Sequence, residues 1–565
     1  MGQKGEQGLA EPFEAMITGL DEAGRGIGKE PSGKTFFCEG VFPGEKCMVQ
    51  EISSSARFSV CEALSVIETS PSRTATFEPE KLLCGGLPLA ALSYPAQLEF
   101  KASRVRECLE RIGRFDGGLL NTVMAPVVPC DPPARYRNHM QYAVSGGRVG
   151  LLASGSHELA EYDGNLIEYE IFSLLREALE KSFERAPTNL FEGLVLRASR
   201  RTNEILAEFV SGSSAPHEIV IRDCSSYIEA TGIGSRFTEI CSGNGFKLNG
   251  LLLRISPDKA SRRTRGGTRV VLSGVDYYDE IFCGRRMRVK AGSFFQVNTE
   301  QAEKLAQLAS EGCSDAAVVY DLYCGCGTLG IGIKKPGQKI FGIETVPEAI
   351  ESAKINRSLA FPDGGAEECS YICKDVLKAD MASLIKSGKL AYPDTIIVDP
   401  PRKGMDPGVI NRIIEIAPKS VVYVSCDSAT LARDLKMFVR NYEILKVTPV
   451  DLFPHAAHVE TVVLLSKGID ISAGKLRVEM SVENMDLSAA HGKPSYGEIK
   501  KHVKDKTGLN VTSLNIAQVK RKYGLIERVN HNLPRAEKPR RPNCTPQKET
   551  AILDAFSNFG MNPQV

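Results

Sequence analysis

Between residues 12 and 68 apolar and polar positions alternate, and glycines break the runs: Ile17-Thr18-Gly19-Leu20, then Gly24 to Gly28, then Val41-Phe42-Pro43-Gly44-Glu45. A period of two over short runs with tight Gly and Pro turns predicts a small β-barrel. Residues 95–113 read as an amphipathic helix, opened by Pro95 and closed by Gly113. From about 125 to 290 the pattern is strand-rich and irregular, with a helical stretch over 171–183. Arg262, Arg263, Arg265 and Arg269 form a basic cluster in a predicted loop or hairpin.

From residue 293 the period changes. A helix over 299–311 precedes an apolar strand over 317–322, a glycine-rich loop, a short helix and a strand over 339–344. A helix over 347–359 follows, then strands at 371–373, 395–399 and 420–425. Strands alternating with helices predict a parallel, doubly wound α/β sheet. After 467 the pattern gives short helices over 495–507 and 511–522, and a Pro- and Lys/Arg-rich linker over 530–549. The expected division is a barrel (1–70), a β-rich central domain (71–290, with helix 95–113 packing on the next domain), an α/β domain (291–467) and a basic extension (468–565). No internal repeat is visible.

A chain of 565 residues is too long for one core, which agrees with several domains. Net charge is +1, so any nucleic-acid binding must use local basic patches rather than an overall polycation. The first ten residues are polar and carry no signal-peptide core, and no run of about 18 apolar residues predicts a membrane span. The 16 cysteines show no small-scaffold spacing, so free thiols and a cytoplasmic location are expected.

The candidate chemistry sits in the α/β segment. Asp321-Leu322-Tyr323-Cys324-Gly325-Cys326-Gly327-Thr328 follows an apolar strand, and Gly325, Gly327 and Gly330 let backbone approach a ligand. Glu344 ends the next strand, where a doubly wound fold binds ribose hydroxyls. The dinucleotide fingerprint is not intact, which favours S-adenosylmethionine over NAD, although a plain packing turn would look similar. Asp399-Pro400-Pro401-Arg402 closes another strand; the prolines force an extended exit and aim Asp399 into the crevice. Cys426 follows the strand ending in Val424-Ser425, ahead of a helix capped by Asp427 or Ser428. A thiol at a helix N-terminus is expected to have a lowered pKa. Cys324 and Cys326 compete with it as pocket lining. Glu460 stands beside His455 and His458 at a strand entrance, placed for acid–base work. The two histidines alone make a poor metal site, and none is expected.

Taken together these residues resemble the RNA uracil-5-methyltransferase family, especially the branch that methylates 23S ribosomal RNA. The signatures are Gly292-Ser293-Phe294-Phe295-Gln296-Val297-Asn298, the segment from Asp321 to Thr328, Asp399-Pro400-Pro401-Arg402-Lys403-Gly404, Ser425-Cys426-Asp427, and Phe453-Pro454-His455 to Glu460. The resemblance implies a Rossmann-like class I methyltransferase domain and an N-terminal OB-like TRAM barrel that binds RNA. It implies that Gln296, Tyr323, Glu344 and Asp399 contact S-adenosylmethionine, with Cys426 as nucleophile and Glu460 as general base. The transfer-RNA branch typically lacks the barrel, so 23S ribosomal RNA is the expected substrate. Transfer RNA is the alternative, and an RNA-binding protein with a degenerate methyltransferase domain is a third reading. Arg262, Arg263 and Arg265 would attract phosphates. No membrane partner is expected, and a monomer is.

Many members of that branch carry a four-iron, four-sulfur cluster on four cysteines. Here Cys84 fits one ligand position, but Leu87 replaces the next, Glu78 stands where the first would be, and Asn165 takes the fourth. One remaining ligand cannot hold a cluster, so none is expected; Cys130 is discounted. The tail's Lys500, Lys501, Lys504, Lys506, Lys520, Arg521 and Lys522 read equally as an RNA-binding accessory or as a solvated face.

Overall fold

The computed structural model describes residues 11–74, 86–153, 156–160, 166–257, 266–468, 496–522 and 544–558. The chain divides into two compact units, residues 1–469 and 470–565.

The first unit opens with five strands, β1 (Phe13–Leu20), β2 (Gly26–Lys29), β3 (Thr35–Cys38), β4 (Lys46–Ser54) and β5 (Phe58–Glu68), closed into a barrel in the order β1-β2-β3-β5-β4. Closure leaves no free sheet edge. Inside lie Ala15, Ile17, Phe36, Cys38, Val49 and Cys61. Gly28 packs so closely on the Phe36 ring that a Cβ there would sit 2.3 Å from it.

A helix, Tyr94–Cys108, follows, extended by one π-helical turn over Leu109–Gly113. Next comes a six-stranded sheet formed by β6 (His139–Ser145), β7 (Arg148–Gly150), β8 (Gly193–Ser199), β9 (Glu204–Ser211), β10 (Lys247–Ile255) and β11 (Thr268–Gly274), ordered β11-β10-β9-β8-β6-β7. Besides the expected helix Glu170–Arg185, it carries two that the hydrophobic pattern did not predict, His217–Thr231 and Ile233–Gly243. They are required by β9 and β10 running parallel, since a parallel pair needs a crossover. Arg269 lies in the β10–β11 hairpin, on β11 opposite Arg254, and its Nε donates to Glu208 Oε1 at 2.5 Å. Arg262, Arg263 and Arg265 lie outside the described residues.

A hairpin of β12 (Tyr277–Phe282) and β13 (Arg285–Lys290) leads into the α/β layer. Its strands are β14 (Val318–Leu322), β15 (Lys339–Glu344), β16 (Cys369–Cys373), β17 (Thr395–Val398), β18 (Ser420–Ser425), β19 (Tyr442–Val450) and β20 (Glu460–Lys467), ordered β16-β15-β14-β17-β18-β20-β19. The first five run parallel, and β20 is antiparallel to both β18 and β19. The chain moves outward from β14 to β16 and restarts at β17, so the order reverses between β14 and β17. Ligands bind beyond the carboxyl ends at such a switch point.

Both faces of this sheet are buried, which is why its strands are continuously apolar. Val421, Tyr423 and Val463 pack on one side with helices Pro407–Ile416 and Ser428–Phe438. Val422, Val424 and Val462 pack on the other with helix Thr299–Glu311 and the β12–β13 hairpin. Val105, Cys108 and Leu109 belong to the first of these cores, so the helix ahead of the central sheet packs on the α/β layer. No described helix is long and apolar enough to cross a membrane.

In the second unit helices Tyr496–Thr507, Ser513–Lys522 and Pro546–Asn558 close on Ile499, Val503, Ile516, Val519, Ile552 and Phe556. The last helix begins inside the stretch expected to be linker; Pro546 at its first position fits a helix start. Several of the tail's lysines are engaged within the unit. Lys506 pairs with Asp554 at 2.8 Å and Lys522 with Glu549 at 2.6 Å. Lys500 donates to Ser513 Oγ, and Lys520 lies over the Phe556 ring. Lys501 and Lys504 remain exposed.

Candidate active site

Strand register brings the candidate residues to one edge. Ser425 of β18 pairs with Thr461 of β20, so Cys426, the next residue on one strand, faces Glu460, the preceding residue on the other. Val398 of β17 pairs with Tyr423, which puts Asp399 at the same end. Leu322 of β14 pairs with Val398 and Ile343, which adds Tyr323 and Glu344. Gln296 arrives from the loop ahead of helix Thr299–Glu311. That loop is fastened by Asn138, whose side chain donates to Gln296 O at 3.0 Å, and by Cys326 Sγ, which donates to Phe294 O at 3.6 Å.

The glycine-rich loop is shaped for close approach. Tyr323, Gly325 and Gly327 all have positive φ (65°, 53° and 78°). Glu344 accepts from the backbone N–H groups of Gly325, Thr345 and Val346 at 3.2, 2.6 and 3.0 Å. Asp321 Oδ2 accepts from Gly330 N at 2.9 Å, while its Oδ1 is buried with no hydrogen-bond partner among the described residues. The Tyr371 hydroxyl is likewise buried and unpartnered, 2.7 Å from where a Cβ on Gly327 would be. Unpartnered buried polar atoms around an open glycine loop fit a ligand that supplies the missing partners. Asp321, Glu344 and Asp399 make the region acidic, and burial, with its neighbouring carboxylates, raises Asp321 to about 7. Such a pocket repels a pyrophosphate and accepts a cationic, phosphate-free nucleoside.

The edge that carries Cys426, Glu460 and Asp399 is more protonated than expected. Cys426 does precede a helix whose cap is Asp427, its Oδ1 accepting from Thr430 N at 2.8 Å. Its thiol is nevertheless pushed up to about 12, not lowered. Burial is the largest cause, followed by the charges of Glu460 and Asp399, and Arg402 opposes only part of the rise. Glu460 is raised to about 8 by burial and by Asp399, again countered by Arg402. Burial alone raises Asp399 to about 7. The dipole of one helix end is outweighed by desolvation and two carboxylates. Arg402 is exposed and its Nη2 lies 3.3 Å from His458 Nε2.

The two histidines do not converge. His455 is buried, with Nδ1 facing Gln97 and Nε2 facing the Pro133 carbonyl, whereas His458 faces Arg402. Among the described residues no group of three or more His, Cys, Asp or Glu is arranged to hold a metal ion. Glu78, Cys84 and Asn165 lie outside the described residues; Leu87 is buried in an apolar cluster. Cys130 Sγ is engaged by Asn298 Nδ2 at 3.5 Å and by Pro132 O at 3.4 Å. Asp321 reads in the sequence only as the start of the glycine loop, and Tyr371 only as the start of a strand, because nothing local distinguishes an unpartnered polar atom from a paired one.

Residues 264–468 match the family model described as tRNA (uracil-5-)-methyltransferase. An uncharacterized RNA methyltransferase of Clostridium acetobutylicum is 33% identical over 473 residues, spanning 80% of this chain and 97% of that protein. One of Bacillus cereus is 30% identical over 476 residues, spanning 81% and 97%. The crystal structure of Pyrococcus abyssi tRNA (uracil-54, C5)-methyltransferase with S-adenosyl-L-homocysteine superimposes with a TM-score of 0.59 at 23% identity, covering 80% of this chain and 100% of that one. That likeness concerns the fold.

Proposed function

The chain belongs to the RNA (uracil-5-)-methyltransferase family, and from that premise we propose that it methylates C5 of a uridine in 23S ribosomal RNA through a covalent adduct on Cys426. S-adenosylmethionine, supplying a methyl group on a cationic sulfur, is the cofactor. Glu344, Asp399, Tyr323 and Gln296 would hold it at the switch point, with Asp321 and the Tyr371 hydroxyl bordering the pocket. The observation that carries the reading is the Ser425–Thr461 pair that ends the β18–β20 ladder, which brings Cys426 and Glu460, the next residue on each side, to the same edge as Asp399.

Uracil C5 is a weak nucleophile. The Cys426 thiol gives up its proton to solvent, and addition of the resulting thiolate to C6 breaks the C5–C6 double bond and pushes its electrons toward C5 and O4, so C5 can accept a methyl group. C5 then carries both a methyl and a proton. Glu460 takes that proton, the double bond re-forms, and the C6–S bond breaks to release the thiolate. With Glu460 raised to about 8, its carboxylate is a stronger base than an exposed glutamate. The target uridine must leave any stacked state to reach a half-buried thiol. The barrel is the RNA-gripping module in this reading, and the cytoplasm the location.

Transfer RNA is the second reading, favoured by the description of the matching family model. Both are tested with 23S ribosomal RNA and transfer RNA carrying 5-fluorouridine, incubated with protein and S-adenosylmethionine and run on a denaturing gel. Fluorine cannot leave C5 as a proton, so the true substrate is trapped on Cys426. A shifted band with ribosomal RNA alone supports the first reading, and one with transfer RNA alone the second. No band with either refutes the covalent route on free RNA.

A further inference from the structure

The helix Tyr94–Cys108 buries a face at 97, 101, 105 and 108, the i, i+3, i+4 spacing of a single stripe that the half-buried Tyr94 begins. Its second half is apolar, with Val105 and Cys108 in the core of the α/β layer. The inward face of its first half is polar, and Tyr94, Gln97 and Lys101 on it each bond the segment just ahead of Glu460. The Lys101 ammonium forms an ion pair with Asp451 in which both side chains are fully buried, and donates to Phe453 O at 2.8 Å. The Tyr94 hydroxyl donates to the other Asp451 oxygen at 2.7 Å. Gln97 accepts from His455 N at 2.9 Å, and its amide N–H meets His455 Nδ1 at 3.1 Å. The latter bond leaves the His455 proton on Nε2, where it donates to Pro133 O at 2.7 Å.

Packing alone does not ask for this. Well-packed apolar residues at 97 and 101 would fill the same space at no desolvation cost. The segment held is also strained, since His455 has φ of +68° without being glycine, a conformation that persists only when its surroundings impose it. Val450 ends β19 opposite Glu460, which begins β20, so residues 451–459 form the whole excursion from β19 to the strand that carries the base.

We infer that Tyr94, Gln97 and Lys101 are positioning residues: they latch the 451–459 segment from a helix outside the α/β layer and so fix Glu460 across from Cys426. The inference rests on the reading of Glu460 as the base that removes the C5 proton. A displaced base leaves thiol addition and methyl transfer in place and slows only the last step. The consequence is a methylated RNA–protein adduct that lingers on ordinary uridine.

The test uses the full chain, ordinary uridine RNA of whichever class is trapped by the fluorinated probe, and S-adenosylmethionine. Two variants are compared with wild type and with Glu460→Gln: Gln97→Ala, which removes no charge, and the paired Lys101→Met/Asp451→Asn, which leaves no lone buried ion. Expected are a fall in kcat of about 10–100-fold, KM for both substrates within about twofold of wild type, and a denaturation-stable methylated adduct like that of Glu460→Gln. Unchanged turnover in a folded Gln97→Ala variant overturns the latch. So does activity lost without adduct while Glu460→Gln still accumulates its own. If Glu460→Gln forms no adduct although wild type is trapped by 5-fluorouridine, the base assignment fails and the latch falls with it.

Discussion

Replacing Glu460 by glutamine separates the two halves of the reaction. The side chain keeps its shape and loses only the ability to take a proton. In the proposed mechanism thiol addition at C6 and methylation at C5 do not need that base, whereas release does. The variant is therefore expected to accumulate an adduct on unmodified RNA that carries the methyl group of S-adenosylmethionine, seen as a radiolabelled band that survives denaturation. Loss of a positioned general base lowers kcat by roughly 10²–10⁴-fold, about 3–5 kcal/mol of transition-state stabilisation.

The same substitution makes a second, opposite prediction for stability. Glu460 is raised from 4.5 to about 8 in the folded protein, chiefly by burial. Between those values the folded state keeps a proton that the unfolded chain has released. Stability is then full below the unfolded value, falls as pH rises through the interval, and levels off above about 8. The gap corresponds to roughly 5 kcal/mol at most, spread across that window. Glu460→Gln cannot ionise, so its Tm should exceed that of wild type above pH 8 and approach it near pH 5. An unstable variant at high pH, or one that turns over normally, would refute this account of the site.

The remaining predictions concern its neighbours. Cys426→Ala should form no adduct with ordinary or fluorinated RNA and still bind S-adenosylmethionine, measured by calorimetry. Alkylation of Cys426 in the free protein should be slow at neutral pH, because the thiol is pushed up to about 12, and should become faster in Glu460→Gln than in wild type only above about pH 8, where wild-type Glu460 carries its charge. The rate of adduct release should climb with pH up to about 8, since only about a tenth of Glu460 is ionised one pH unit below that value. Arg402→Gln should move this limb to higher pH, because the Arg402 cation lowers both Glu460 and Cys426. Glu344→Ala should raise KM for S-adenosylmethionine by roughly tenfold while leaving kcat little changed.

What the chain revealed in advance, and what it hid, divides along sequence distance. Cys426, Glu460, Asp399 and Glu344 each stand at a strand end, and a strand end is legible from local hydrophobicity and the residues that break it. The doubly wound order then brings all such ends to one edge, so four separate local signals converge without any long-range knowledge. The protonation of that edge was not legible. A helix N-terminus beside Cys426 argued for a lowered thiol, but the opposing carboxylate is Glu460, which lies on a strand antiparallel to the first and 34 positions away. The latch was hidden more deeply. Gln97 and Lys101 sit on a helix that reads as amphipathic with polar residues outward, and their partners lie about 350 positions downstream. A buried lysine is indistinguishable from a solvated one until Asp451 is placed against it. The two central helices, 217–231 and 233–243, were missed for a related reason: their necessity follows from β9 and β10 being parallel, a fact of pairing that neither strand announces. Burial therefore decides more of this site than residue type does. It pushes the Cys426 thiol up to about 12 where a helix N-terminus alone would lower it, so Cys426, as the proposed nucleophile, must lose its proton on the way to the adduct.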